Sequence, residues 1–247
     1  ESFKGPVTIA QLPDPTPAPN EVIIQVKASG LCRSDWHGWQ GHDSDIHLPH
    51  VPGHELAGIV ADTGSDIKKW KKGDRVTVPF CVGCGNCEQC NNGQEQVCDH
   101  YFQPGFTGWG SFAELVKIRY ADHNLVRLPD SVSFTTAALL GCRFITAWRG
   151  VTARGNVKAG DWVAVHGCGG VGLSAIMIAT AFGAKAIAVD INEDKLRLAA
   201  NIGAVQMINA KKTEDIPGAI KKITQGGAHI SVDALGSRET CRHSILS

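Results

Sequence analysis

The chain has 247 residues, of which 43% are hydrophobic and 19% charged, and its formal net charge is zero. That balance belongs to a globular protein of one large domain or two modest ones. There is no Lys/Arg-dense run to bind nucleic acid or an anionic membrane, and no apolar run near the roughly 18 residues of a membrane helix.

The nine cysteines fall at 32, 81, 84, 87, 90, 98, 142, 168 and 241. An odd, clustered set behind a polar, proline-rich start argues for metal ligation over a disulfide framework, and for a cytoplasmic or otherwise reducing location. The opening Glu1-Ser-Phe-Lys4 reads as cut within a first strand.

The first clear element is an alternating strand from Glu21 to Ala28, closed by Gly30-Leu-Cys-Arg-Ser-Asp-Trp-His37. Gly53-His-Glu-Leu-Ala-Gly-Ile-Val60 then runs from a turn into a second apolar strand. A further turn, Trp70 to Asp74, feeds a strand that ends in the apolar run Val76 to Phe80.

Five cysteines lie between Cys81 and Cys98. Cys84, Cys87, Cys90 and Cys98 are spaced C-x2-C-x2-C-x7-C, so short intervals turn three thiolates onto one ion and a longer arm returns the fourth. Gly83, Gly85 and Gly93 permit the tight turns this needs. Four thiolates leave no open coordination position, so the expectation is a structural zinc. Spacing alone also permits Cys81, Cys84, Cys87 and Cys90 with Cys98 outside, and disulfides or a redox pair are the remaining readings. Cys81, at a strand end, reads as a buried free thiol.

A helical stretch from about Phe134 ends in Leu139-Leu-Gly-Cys142. Asp161 to His166 is then a buried strand, followed at once by Gly167-Cys-Gly-Gly-Val-Gly172. Leu173 to Phe182 reads as a helix and Ala184 to Asp190 as the next strand. Strand, G-x-G-x-x-G, helix, strand and acidic residue together form a dinucleotide fingerprint. Gly167, Gly169, Gly170 and Gly172 let the backbone approach a pyrophosphate at the positive end of the helix. Asp190 is placed to accept hydrogen bonds from the adenosine ribose, and its charge repels a 2′-phosphate, which predicts NAD over NADP. Cys168 reads as an inert small residue.

The remaining elements are a helix from Glu193 to Asn201, a strand from Val205 to Ile208, a helix from Asp215 to Thr224 and a strand from His229 to Asp233. A full dinucleotide fold uses six strands. The chain thus reads as α/β, with a Rossmann domain truncated after its fourth strand.

In order and approximate spacing, CRSDWH, GHELAGIV, the four-cysteine loop and a lone Cys142 before the fingerprint resemble the zinc-dependent medium-chain alcohol dehydrogenases. The resemblance covers nearly the whole chain. It implies a β-rich GroES-like catalytic domain over residues 1–142 and an incomplete NAD-binding Rossmann domain over 143–247, with the active site in the cleft between such domains.

By motif, Cys32, His54 and Cys142 would hold a catalytic zinc with one position open, and Cys84, Cys87, Cys90 and Cys98 a structural one, making two zinc ions per chain. Glu55 would lie near the catalytic metal, and Asp35 would orient the imidazole. Ser34 and His37 match the family's proton relay. Arg33 would meet the pyrophosphate, Lys195 the ribose, and Val171 and Thr146 the nicotinamide, with Phe80 lining an apolar substrate pocket.

The implied reaction is reversible oxidation of a primary or secondary alcohol to an aldehyde or ketone with hydride transfer to NAD. A polyol, threonine or aldehyde-adduct dehydrogenase, or a non-catalytic zinc- and nucleotide-binding fragment, are the competing readings. The short connection between Cys98 and Cys142 resembles the tetrameric branch more than the dimeric one, so the implied partners are a small alcohol or aldehyde and further copies of the chain.

Overall fold

The computed structural model describes residues Glu1 to Ser247, and these fall into two units, Glu1–Cys142 and Arg143–Ser247. In the first unit, strand β1 (Val22–Gly30) leads into a short helix α1 (Arg33–Trp39), and β2 (Glu55–Thr63) and β3 (Arg75–Thr77) come next. A one-turn helix α2 (Glu88–Asn91) lies within the cysteine-rich loop. Then come β4 (Leu115–Ile118), α3 (Ala121–Asn124), β5 (Val126–Arg127) and α4 (Phe134–Ala138).

The five strands form one antiparallel sheet in the order β4-β1-β2-β3-β5. Its core gathers Val22, Ile24, Leu56, Val60, Val76 and Ile118, all fully buried. Removing each such side chain from water contributes roughly 1.5–3 kcal/mol, the main term that offsets the entropy lost in ordering the sheet.

The register of β1 against β2 brings two chemically important segments together. Gly30, the last residue of β1, lies opposite Glu55, the first of β2. The chain leaving β1 toward Cys32 therefore passes beside the chain entering β2 through His54. A Cβ on Gly30 would stand 2.1 Å from Glu55 Oε2, so a larger residue here would displace the Glu55 carboxylate.

No strand forms over residues 1–20. Lys4 adopts φ +61° in an opening turn, and five prolines between Pro6 and Pro19 remove the amide donors a ladder would need. The strand expected through Phe80 is also shorter, ending at Thr77 before Pro79.

An irregular helical run spans the end of the first unit and the start of the second. A π-helical stretch (Leu140–Phe144) joins α5 (Ile145–Trp148), and a second π-helical stretch continues it (Arg149–Arg154). The remaining elements alternate: β6 (Trp162–His166), α6 (Gly170–Ala181), β7 (Lys185–Asp190), α7 (Glu193–Asn201), β8 (Ala204–Asn209), α8 (Ile216–Thr224), β9 (Ile230–Asp233) and α9 (Arg238–Leu246).

Their strands form a parallel sheet in the order β8-β7-β6-β9, with β6 inside. Strand side chains alternate between its two faces. Val163 and Val165 pack with Ala175, Ile176 and Ala179 of α6, while Ala164, Ile187 and Val189 pack with Ile216 and Ile220 of α8. Helices on both faces explain why these strands read as continuous apolar runs.

His166 ends β6 almost completely buried, with Nδ1 unpartnered and Nε2 3.2 Å from Ser247 Oγ. Burial, aided by repulsion from His243 and opposed by Asp233, lowers its pKa to about 4. An unfolded histidine titrates near 6.5, so between these values the unfolded chain binds the additional proton and stability falls as pH falls. The melting temperature is expected to drop between pH 7 and pH 5, and His166→Gln should flatten that drop. Equal slopes for the two proteins would show that His166 does not carry the effect.

Candidate metal centres and cofactor loop

The first candidate centre is organised by one carboxylate. Cys32 caps the N-terminus of α1, and its N–H donates to Asp35 Oδ2 at 2.8 Å. Asp35 Oδ1 accepts from the Gly53 N–H at 3.2 Å and from His54 Nδ1 at 3.1 Å. Asp35 thereby ties the end of β1 to the start of β2. Gly53 holds φ +102°, a left-handed conformation that suits glycine and turns His54 inward.

Because a carboxylate only accepts, His54 donates from Nδ1, so Nε2 is the nitrogen that can lose its proton and offer a lone pair to a metal. That atom is buried and has no hydrogen-bond partner. A buried polar atom without a partner is costly unless something occupies the space beside it.

Cys142 arrives from the other side. The Phe80 N–H donates to Gly141 O at 2.8 Å, and a Cβ on Gly141 would stand 2.3 Å from Val78 O. The backbone before Cys142 is thus pressed against the chain just beyond β3. The ligand atoms of Cys32, His54, Glu55 and Cys142 all lie within 4.8 Å of one another.

The proton affinities of this set are strongly split. A hydrogen bond from Cys142 lowers Cys32 to about 3, against burial and with help from His54 and Ser34. The same bond, together with burial and the Cys32 and Glu55 charges, pushes Cys142 far up. Burial depresses His54, but Asp35 and Cys32 more than offset it and raise the ring to about 9. Several soft and imidazole donors competing for protons in a buried space fit a thiophilic divalent cation, and Cys₂His with one open position suits catalytic zinc.

Around this centre, Ser34 Oγ lies 3.7 Å from Cys32 Sγ. His37 is exposed, with its Nδ1 3.1 Å from His42 Nδ1 and its ring edge-on to Trp36. Arg33 is exposed and stacks over Trp36, 4.3 Å from the ring centroid. Phe80 is half-buried. His42, the neighbour of His37, carries no sequence signal of its own.

The second candidate centre contains Cys84, Cys87, Cys90 and Cys98, whose sulfurs likewise lie within 4.8 Å of one another. Cys81 is outside this group, half-buried, with its pKa raised by burial and by Cys98. The alternative set that replaced Cys98 with Cys81 is therefore not the one that assembles. Cys98 Sγ accepts N–H donors from Cys84 and His100, each at 3.3 Å, and the Cys90 N–H donates to Cys87 Sγ at 3.5 Å. The Cys90 N–H, against desolvation, lowers Cys87 to about 6 and so favours its thiolate.

A residue that sequence reasoning missed clamps this lobe. Buried Asn124 accepts from the Gly83 N–H at 2.9 Å and donates to Gly83 O at 2.8 Å, while also donating to Tyr120 O. Its only sequence signal is an asparagine at the end of a short turn of helix, far along the chain.

The glycine loop lies in the second unit. Gly167 leaves β6 at φ +96°, and a Cβ on Gly172 would stand 1.8 Å from Gly167 O, so α6 packs closer to the strand than any side chain allows. A Cβ on Gly169 would meet nothing within 4 Å, which leaves an open cradle at the start of α6. No side chain caps that helix. Its first amides are therefore available to an anion.

Asp190 ends β7 and turns its carboxylate to this loop, accepting from the Cys168 N–H at 2.7 Å and the Asn192 N–H at 2.9 Å. Lys195 sits in the first turn of α7, capped by Asn192. Val171 packs against the core of the unit, and Thr146 is exposed on α5. Cys168 is buried, and burial together with Asp190 raises its pKa to about 12, which favours the thiol form.

Residues 18–130 match the alcohol dehydrogenase GroES-like domain, and residues 170–247 match the zinc-binding dehydrogenase domain. An alcohol dehydrogenase of Geobacillus stearothermophilus is 35% identical over 235 residues, covering 94% of this chain and 68% of that protein. The chain belongs to the zinc-type alcohol dehydrogenase family.

Alcohol dehydrogenase 2 of Caenorhabditis elegans is likewise 35% identical, over 99% of this chain and 70% of its own length. Among solved structures, an NAD-dependent alcohol dehydrogenase superposes with a TM-score of 0.87 at 36% identity, covering 96% of this chain and 69% of that one. The chain thus spans about seven tenths of the length of these family members. The GroES-like and zinc-binding dehydrogenase matches establish a fold class of β-rich sheet unit plus Rossmann-type unit. No helix is long and apolar enough to cross a membrane.

Proposed function

We propose that this protein oxidises a primary or secondary alcohol to the aldehyde or ketone, reversibly, with hydride passing to NAD. The observation that carries the reading is the His54 ring, fixed by Asp35 so that its buried Nε2 points without a partner into a set of two thiols and a carboxylate.

Cys32, His54 and Cys142 would hold one zinc, and Cys84, Cys87, Cys90 and Cys98 a second, structural one. When bound, the first zinc supplies Lewis acidity that makes an alcohol hydroxyl more acidic, and NAD supplies the hydride acceptor. The chain's own residues do the rest. Asp35 holds the imidazole tautomer and orientation. Glu55, buried at the start of β2, adds negative charge beside the donors.

Ser34 Oγ takes up the substrate hydroxyl proton and passes it outward. His37, open to solvent, releases it. Phe80 offers an apolar wall to the carbon end of the substrate, which favours simple alcohols over polyols.

In the second unit, Gly167, Gly169, Gly170 and Gly172 would cradle the NAD pyrophosphate at the start of α6, with Arg33 as a further phosphate contact. Asp190 would bind the ribose hydroxyls beside Lys195. Val171 and Thr146 would flank the nicotinamide. Nine unpaired thiols support a reducing, cytoplasmic location, and the short Cys98–Cys142 connection supports a homotetramer.

The test is NADH formation across a panel of primary alcohols, secondary alcohols, polyols and threonine, with and without a zinc chelator. Chelator-sensitive turnover of simple alcohols is expected. Turnover confined to polyols or threonine would replace the substrate assignment, and turnover indifferent to chelation would contradict the zinc chemistry. In the same assay Asp190→Gly should shift preference toward NADP, because the repelling carboxylate is gone. An unchanged preference would mean that Asp190 does not meet the ribose.

A further inference from the structure

Arg143 directly follows Cys142 and opens the second unit within the π-helical stretch that precedes α5. Its side chain lies flat along Gly170, the first residue of α6. A Cβ on Gly170 would stand 2.9 Å from Arg143 Cδ, 3.2 Å from Nη1 and 3.4 Å from Nε. The absence of a side chain at Gly170 is what gives the guanidinium its seat. One residue earlier, Gly169 faces open space, and two residues later Gly172 is held against Gly167 O.

A permanent cation therefore stands against the glycine loop at Gly170, next to Gly169, whose Cβ position is open. Guanidinium is planar and presents its donors as a fork that matches phosphate oxygens in pairs. A helix of twelve residues with no side-chain cap supplies amide donors to the same place. Arg33, the arginine that family resemblance assigns to the pyrophosphate, is stacked on Trp36 in the other unit. Arg143 belongs to the unit that carries the loop itself.

We propose that Arg143 is a pyrophosphate-binding residue of the cofactor site, acting with the glycine loop. The inference rests on the reading of Gly167–Gly172 as a dinucleotide cradle, and it adds a guanidinium from the unit that carries the cradle. It also accounts for glycine at position 170, where an alanine would suit the helix but press on the arginine. Charge-assisted hydrogen bonds of this kind are among the strong ones, and losing them is expected to weaken phosphate binding about ten- to a hundredfold.

The experiment compares ADP with adenosine, by calorimetry on the zinc-loaded protein, for the wild type, Arg143→Gln and Arg143→Lys. ADP carries the diphosphate and adenosine does not. The expected result is a ten- to hundredfold loss of ADP affinity in Arg143→Gln with adenosine affinity unchanged. Arg143→Lys should recover only part of the loss, because an ammonium cannot form the fork. ADP binding by Arg143→Gln equal to the wild type would overturn the inference and leave the cofactor reading standing. Parallel losses for ADP and adenosine would assign Arg143 a structural role and overturn it as well. A wild type that binds neither compound would overturn the cofactor reading and the inference together.

Discussion

Replacing Cys32 with alanine is expected to remove one of two zinc ions per chain and to lower NAD-linked turnover by about three orders of magnitude or more, since a metal acting as Lewis acid contributes several kcal/mol to such a barrier. The reason lies in how the donors are shared. Cys32 is the group whose proton is most easily displaced, with its pKa at about 3, and it bridges electrostatically to both Cys142 and His54. Without it, one thiol and one imidazole remain as strong donors, too few for a site that must also keep a position open. The sheet should survive, because Cys32 lies beyond the end of β1 and outside the apolar core. A milder companion sharpens the point. Asp35→Asn keeps all three ligands but spoils the acceptor that sets the His54 tautomer, and zinc affinity should fall roughly ten- to a hundredfold. Metal analysis of the purified variants checks both. Full zinc content and full turnover in Cys32→Ala would remove this residue from the centre.

The second large effect is structural. Between Cys81 and Cys98 the chain has few apolar side chains, and one of them, Val97, is exposed. The lobe is held by the Asn124 clamp, the bridge of Val82 to Phe102 and the four gathered sulfurs. A bound ion is then a cross-link whose binding energy is folding energy. Cys90→Ser is expected to release the second zinc, expose residues 84–98 to proteolysis and lower the melting temperature by about 10 °C, the shift for a loss of several kcal/mol in a chain of this size. The buried centre should keep its own zinc, because its ligands come from other segments. Unchanged protease resistance and melting temperature in a variant with one zinc would show that the lobe folds without it.

Much of this is legible in the sequence because it rests on short-range pattern. Alternation marks β1, and the run from β6 to β9 shows as apolar strands alternating with helical stretches. Asn192 caps α7, whose range Glu193–Asn201 agrees with the pattern at both ends. The helix after the fingerprint begins at Gly170, three residues before the Leu173 that pattern suggests. Glycines that would weaken an isolated helix are here required by close packing and the open cradle.

The features that local pattern hides depend on contacts distant in the chain. The π-helical stretches 140–144 and 149–154 share the apolar content of an ordinary helix, and the backbone of Val78 against Gly141 is a long-range contact with no local signature. That Cys98 and not Cys81 lies with Cys84, Cys87 and Cys90 follows from how the loop returns, which spacing alone leaves open. Asn124 and Arg143 carry no motif. Asp35 is placed beside the imidazole by resemblance, but its second task, holding the Cys32 and Gly53 amides, emerges only in the fold.

The most direct test of the central claim is zinc K-edge X-ray absorption on the purified, zinc-loaded protein, combined with a zinc count. One centre offers two cysteine sulfurs and the other four, so the account predicts two zinc ions per chain and about three sulfur neighbours per zinc on average, with imidazole scattering present. A single zinc surrounded by four sulfurs and no imidazole signal would contradict it, leaving a structural metal lobe and no catalytic centre.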